Sequence, residues 1–180
     1  LMTQDATYSR DIPIVLSTNS DCELVDGLGT DANNTTHERG AMNYNVSPGW
    51  SKLSNVWDAM YSIIENANLI VEGINKSSLL TSGDSDQRAM ERFKGEALTI
   101  RAMAYFDLIR LFGDIPYKSE SSNPNLGNVY LGKSDRDVIM DELIKDLETA
   151  IKWLSNGSKS ILDYGCGSGA MLFRGASYDS

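Results

Sequence analysis

Glycines alternating behind an acidic residue give the strongest chemical signal in this chain. In SILDYGCGSG, residues 160–169, an apolar pair is followed by Asp163 and then by Gly165, Gly167 and Gly169. Such a pattern lets a buried strand turn sharply into a helix and brings backbone N–H groups close to a ligand, as in the glycine-rich loops that hold nucleotides. Other chemistry-bearing residues are sparse. The single histidine, His37, stands in a polar stretch between Thr and Glu residues. One histidine removes His-based zinc sites and leaves no oriented base for a Ser-His-Asp triad. The two cysteines, Cys22 and Cys166, form neither a CxxC pair nor a disulfide framework and leave the redox compartment open. Asp26 and Asp31 with Asn33 and Asn34 are rich in oxygen donors, but their spacing is not that of an EF-hand loop and no bidentate Glu closes it, so a solvated turn is expected. The Asn-x-Ser/Thr triplets at Asn34, Asn75 and Asn156 are what chance supplies in so Ser- and Asn-rich a sequence. No cofactor and no metal are expected.

The elements that would have to position such groups are helices. With 180 residues, 41% hydrophobic and 23% charged, the chain has ordinary globular composition and enough apolar side chain for a core. A net charge of -9 disfavours nucleic acid, whose phosphates this surface would repel. No apolar run reaches the length of about 18 residues that a membrane span needs, and LMTQDATYSRD lacks the basic and apolar regions of a signal peptide.

Residues 1–49 are rich in Asn, Asp, Thr, Ser and Gly, with short apolar runs such as IPIVL, and predict an irregular segment with at most a short helix or strand. From Trp50 onward Leu53, Val56, Trp57, Met60, Ile63, Ile64, Ala67, Ile70, Val71 and Ile74 recur at helical spacing, with start signals at Ser47-Pro48 and Ser51 or Ser54. A second helix is expected to open at Asp84, with Gln87 in the capping-box position. Its predicted stripe is Ala89, Phe93, Ala97, Ile100, Ala104, Leu108 and Leu111. Gly95, Ala97, Ala102 and Ala104 would admit a close neighbour, and Gly113 before Pro116 would end it. A third helix is expected from Ser134, with Asp137 in the capping-box position and a stripe of Val138, Met140, Leu143, Leu147, Ile151 and Leu154. Asp141 with Lys145 and Glu148 with Lys152 form acid-before-base pairs on its wet side, and Gly157 ends it. The fold class expected is therefore all-α. The methionines Met60, Met90, Met103 and Met140 fall at helical spacing and are expected to pack rather than bind.

Three segments, YSIIENANLIVEGI, FKGEALTIRAMAYFDLIRLFGDIPY and SDRDVIMDELIKDLETAIKWL, resemble in order and spacing the N-terminal helical region of the SusD/RagB family of Bacteroidetes outer-membrane nutrient-binding proteins. The likeness covers about residues 50–155 and is most specific in Glu96-Ala, Arg101-Ala and Phe112-Gly-Asp-Ile-Pro116. As chemistry, Glu96 and Arg101 are charges on a helix committed to packing, and a structural role is expected for both.

The resemblance implies tetratricopeptide-like stacked helical hairpins, a surface-exposed lipoprotein of the cell outer membrane, and no enzymatic activity. It implies capture of an oligosaccharide or peptide for a SusC-like TonB-dependent transporter. It also divides the chain, a partial SusD-like domain over 1–180, into an irregular loop segment at 1–49, a helical region at 50–155 and a Gly-rich tail at 156–180. Because members of that family are longer, this chain is expected to be either an N-terminal fragment or a natural truncation that lacks most of the family's second half, with the lipidated cysteine upstream of residue 1; Cys22 has no apolar leader before it. The region before the first long helix often reaches the ligand face in that family. There Trp50 offers a flat face for a sugar ring, while Asp21, Arg39 and Asn55 offer partners for hydroxyl groups. The alternative for Trp50 is a plug at the helix start.

Two other functions compete. A helical scaffold for protein partners would share the fold, since the concave faces of stacked helical pairs bind peptides. A methyltransferase fragment using residues 161–169 would need a strand before Asp163, a helix after Gly169 and a parallel sheet around them. With three long helices before the loop and 11 residues after it, neither half of that unit has room, and the stretch is expected to be a glycine-rich connection. In the tail, GAMLFRGASY would be a poor helix, weakened by Gly175.

Overall fold

The computed structural model describes residues 1–17, 49–81, 83, 85–122 and 131–157. Asp21, Cys22, the oxygen-rich run from Asp26 to Asn34, His37, Arg39, SILDYGCGSG and the remainder of the tail lie outside the described residues.

Among the described residues four α-helices follow one another: α1 (Asp11–Ser17), α2 (Ser51–Lys76), α3 (Ser85–Phe112) and α4 (Arg136–Gly157). A π-type segment, Asp5–Ser9, precedes α1, and a short 3-10 turn, Ser78–Thr81, joins α2 to α3. IPIVL is thus helical, and Pro13 is accommodated because the first turn of a helix does not require its missing N–H. Among the described residues the only β pairing is an isolated antiparallel bridge between Ile115 and Ser134, which closes the neck of the α3–α4 connection.

Both long hairpins are antiparallel. Trp57 meets Phe112 and Tyr61 meets Tyr105 across α2 and α3, so residue numbers rise on one helix as they fall on the other. Across α3 and α4 the same holds for Gly95 with Leu154 and Arg101 with Asp146. The close approach at Gly95 depends on its missing side chain, since a Cβ there would stand 2.8 Å from Leu154 Cγ and 3.3 Å from the Ala150 carbonyl. At the far end Gly113 has φ of 72° and its N–H reaches the Ile109 carbonyl, the left-handed stop expected of a glycine there.

The core has two parts. One gathers Val56, Met60, Ile64, Tyr105, Leu108, Ile115, Ile139 and Leu143 with Ile12 from α1. The other is smaller and made of Ala67, Val71, Ala97, Leu98 and Ala150. Each large aliphatic side chain so covered contributes about 1.5–3 kcal/mol.

Helices α3 and α4 turn differently from their expected stripes, whereas α2 keeps its stripe except at Ile70. Phe93 and Ile100 on α3 and Ile70 on α2 are exposed, while Gly95, Leu98, Arg101, Ala102 and Tyr105 face inward beside Ala97, Ala104 and Leu108. The reason is that α3 lies between two helices, and its contact with α4 is set by small residues and a charge rather than by bulky apolar groups. On α4 the expected Val138, Leu147 and Ile151 are likewise exposed. Its inward row is Ile139, Leu143, Asp146 and Ala150. An acid in that row hides its helical period from a count of apolar residues alone.

One start signal also shifts. The cap of α4 is Asp135, whose Oδ1 accepts the Asp137 N–H at 2.8 Å, because Ser134 is committed to the bridge with Ile115. Ser47-Pro48 and Asp84 lie outside the described residues; α3 opens at Ser85, and Gln87 Oε1 accepts the N–H of Gly83 at 2.8 Å. On the wet side of α4, Lys145 pairs with Glu142 at 2.6 Å rather than with Asp141.

Candidate functional site

Trp50 stands immediately before α2, in extended backbone, and its carbonyl accepts the Leu53 N–H. The ring is 2% exposed, so it plugs the start of the helix and offers no open face to a ligand. Asn55, one turn on, projects into solvent. The two residues are therefore near in sequence but not joined in one open surface, and Asp21 and Arg39 lie outside the described residues. Beside this helix start, Lys52 Nζ and Arg10 Nε both donate to Asp11 Oδ1, at 3.0 and 2.8 Å. Burial pushes the Asp11 carboxyl up, but these two cations outweigh it and hold it below the usual carboxylate range.

The most organised polar assembly lies elsewhere, at the junction of the two core clusters. Arg101, 4% exposed, grips Asp146 with a two-pronged contact, Nε to Oδ2 at 2.8 Å and Nη2 to Oδ1 at 2.6 Å. Its Nη1 donates to Asn68 Oδ1 at 2.7 Å and to the Ser119 carbonyl at 3.0 Å. Asn68 is fully buried and in turn donates to the Glu120 carbonyl at 2.9 Å. These partners occupy the guanidinium, giving Arg101 a structural role. It joins α2, α3, α4 and the segment after α3. Glu96, by contrast, is half exposed and faces Arg92 at 3.5 Å.

Next to this assembly an aromatic row runs Phe112, Trp57, Tyr61, Tyr105, Tyr117, with ring centroids 4.9–6.3 Å apart. The phenols are tied to the same segment. Tyr61 donates to the Pro116 carbonyl at 2.6 Å, and Tyr105 both donates to the Lys118 carbonyl and accepts its N–H. Burial pushes the phenols of Tyr61 and Tyr105 well above the ordinary tyrosine value and that of Tyr117 up to about 12. Tyr8 anchors the amino-terminal segment by donating to Asp107 on α3 at 2.6 Å. Sequence patterns miss this polar framework, although Asn68 inside an apolar stripe was a visible irregularity.

On the other side of the α2–α3 hairpin is an open apolar groove of about 450 Å³, lined by Leu69, Ile70, Phe93, Ala97 and Ile100 with Glu96 at its side. Among the described residues no group of three or more His, Cys, Asp or Glu side chains is placed to share a metal ion. Nor is any described helix long and apolar enough to cross a membrane.

Antiparallel helical hairpins stacked through small residues define an all-α, tetratricopeptide-like architecture. Comparison with known sequences names the family. The chain belongs to the SusD-like family, whose model, described as starch-binding associating with outer membrane, matches residues 8–170. It is 24% identical over 153 residues to SusD-like protein P2 of Formosa agariphila, covering 85% of this chain and 28% of that protein. With SusD-like protein P38 of the same organism it shares 29% identity over 114 residues, 63% of this chain and 21% of the relative. With a SusD-like protein of Bacteroides ovatus it shares 26% over 106 residues, 59% of this chain and 19% of the relative. The chain thus spans between 19% and 28% of the length of these relatives. No solved structure gives a significant match.

Proposed function

We propose that this chain is the helical scaffold of a non-enzymatic binding protein at the cell surface, which captures an oligosaccharide, or a peptide, for a SusC-like TonB-dependent outer-membrane transporter. The observation that carries this reading is the SusD-like family match over residues 8–170, whose description joins starch binding to the outer membrane. In this proposal a lipid anchor attached upstream of residue 1 holds the protein at the surface, and the surroundings of Asp21, Arg39, Trp50 and Asn55 face the ligand. Asn55 is available as placed. A sugar ring would stack on Trp50 only after the cover over its indole opens, because the ring is 2% exposed.

Affinity purification from outer membranes tests the partnership. Recovery of a TonB-dependent transporter is the expected result, and its absence from a preparation that retains the protein would contradict it. Calorimetry with malto-oligosaccharides and unrelated peptides tests the ligand class. Replacing the side chain of Asn55 by Asn55→Ala is expected to weaken a bound saccharide by about 1 kcal/mol, the usual worth of one hydrogen bond, with the helical content unchanged.

A scaffold for protein partners is the second reading, favoured by the groove beside Leu69, Ile70, Phe93 and Ile100. It predicts binding of an amphipathic peptide in the absence of any saccharide. The methyltransferase reading gains no support, since the family match extends through the whole of SILDYGCGSG.

A further inference from the structure

The segment that follows α3 lies along α2, and side chains rather than secondary structure hold it there. Residues 117–122 belong to no helix and no strand. Three positions on α2, spaced i, i+3 and i+7, take their backbone groups. Glu65 Oε1 accepts the Ser122 N–H at 2.7 Å, and Glu65 Oε2 accepts from Ser122 Oγ and from the Lys118 ammonium. Asn68 Nδ2 donates to the Glu120 carbonyl at 2.9 Å, and Glu72 Oε1 accepts the Ser121 N–H at 2.5 Å. The row appears in the sequence as Glu-x-x-Asn-x-x-x-Glu within ENANLIVE, a spacing that places all three side chains on one stripe of the helix.

We propose that residues 120–122 form an acid-released strap, fastened on α2 by the carboxylates of Glu65 and Glu72 and opening locally while the three long helices remain folded. The contacts divide by chemistry. Those of Glu65 and Glu72 are carboxylate contacts, two of them to backbone N–H groups, and such bonds weaken when the acceptor loses its charge. Asn68 is neutral at every pH, Arg101 keeps its charge and its bond to the Ser119 carbonyl, and the Tyr61 and Tyr105 contacts to residues 116 and 118 lie at the start of the segment, so residues 116–119 supply a pivot.

The charged groups around the strap come from every element packed against it. They are Glu65, Glu72 and Lys76 from α2, Arg101 from α3, Asp146 and Glu142 from α4, and Lys118 and Glu120 within the segment itself. Burial pushes the Glu65 carboxyl up, but its bonds to Lys118 and Ser122 prevail and hold it below the ordinary value of 4.5. Glu72 is lowered chiefly by the Ser121 N–H. A carboxyl depressed in the folded state contributes stability above its ordinary value and loses it as pH falls through the depressed one. Release therefore begins below the ordinary value of 4.5 and uncovers Asn68, which is fully buried under the strap at neutral pH.

Backbone amide exchange on the 180-residue chain, corrected for intrinsic rates and followed from about pH 7 to about pH 3.5, tests the strap against the helices. At the acidic end Ser121 and Ser122 are expected to lose protection by about tenfold or more while amides at the centres of α2 and α3 keep theirs. Glu65→Gln with Glu72→Gln should show the reduced protection already at neutral pH and little further change. The amide proton shifts of Ser121 and Ser122 in the unsubstituted chain should titrate together with the two side-chain carboxyls, a readout that needs no variant to fold. Unchanged protection on acidification, loss of protection at the same pH as the helices, or amide shifts that ignore the two carboxyls would each overturn the proposal.

Discussion

Arg101 ties the architecture together, because it supplies donors to α2, α4 and the segment after α3 at once. Removing it with Arg101→Met would leave the Asp146 carboxylate, Asn68 Oδ1 and the Ser119 carbonyl without their shared cation. Urea unfolding should show a loss of about 3–5 kcal/mol, the range seen when one partner of a buried ion pair is deleted. Adding Asp146→Leu to the same chain should recover a large part of that loss, since no charge is then stranded. If the double variant is no more stable than the single one, the pair is not the source of the effect. At this scale the sequence was partly legible. Arg101 stood out as a charge on a packing helix, and a structural role followed. Its partners did not, because Asp146 lies 45 residues away and nothing local distinguishes it from Asp141, which is exposed.

At the scale of elements, helix ends and helix contacts behave by different rules. Ends are local: Gly113 stops α3 where a glycine before Pro116 says it should, and an acid caps α4 one residue later than Ser134. Asp135→Ala should cost about 1 kcal/mol of stability by thermal or urea unfolding, as loss of an N-cap does, and Ser134→Ala should cost far less. Contacts are mutual: α3 and α4 come together at Gly95, where Leu154 and the Ala150 carbonyl fill the space of a side chain. Gly95→Val should therefore destabilise by about 1–3 kcal/mol through overpacking, despite removing a helix-weakening glycine. An unchanged or raised denaturation midpoint would show that α4 yields there. The apolar periods gave the existence and length of three long helices, yet they placed Phe93, Ile100, Val138, Leu147 and Ile151 inward when those side chains are exposed. The small residues Gly95 and Ala102 were legible as a place for a close neighbour, but a count of apolar residues cannot recognise that Arg101 and Asp146 complete the contact face.

For the whole molecule, the balance of acids and phenols sets a pH window of stability. Glu65, Glu72 and Asp11 are held below their ordinary values, so their contributions stand at neutral pH and fade as the medium becomes more acidic than about pH 4. Tyr8, Tyr61, Tyr105 and Tyr117 are pushed up, mainly by burial. A phenol raised in the folded state contributes below its ordinary value near 10 and loses that contribution as pH rises through the folded one. Urea midpoints should accordingly form a plateau through neutral pH and decline above about pH 10. Phenolate absorbance should appear in step with loss of helix rather than before it. Ionisation of these four tyrosines in a chain that keeps its helical signal would show the aromatic row to be more open than its geometry implies.

Sequence alone determined that the chain is all-α, that its three long helices lie between about Trp50 and Gly157, and that its segments belong to the SusD-like family. Those properties rest on local propensity, on the 3.6-residue period and on the order of motifs, all of which are written along the chain. Tertiary structure decided which side of each helix is buried, that Trp50 is covered while Asn55 is open, and that Glu65, Asn68 and Glu72 clasp a segment some 50 residues further on. These are pairings between distant groups. A polar side chain has the same letter whether water or a backbone amide is its partner, and only the packing of α2, α3 and α4 settles which it meets.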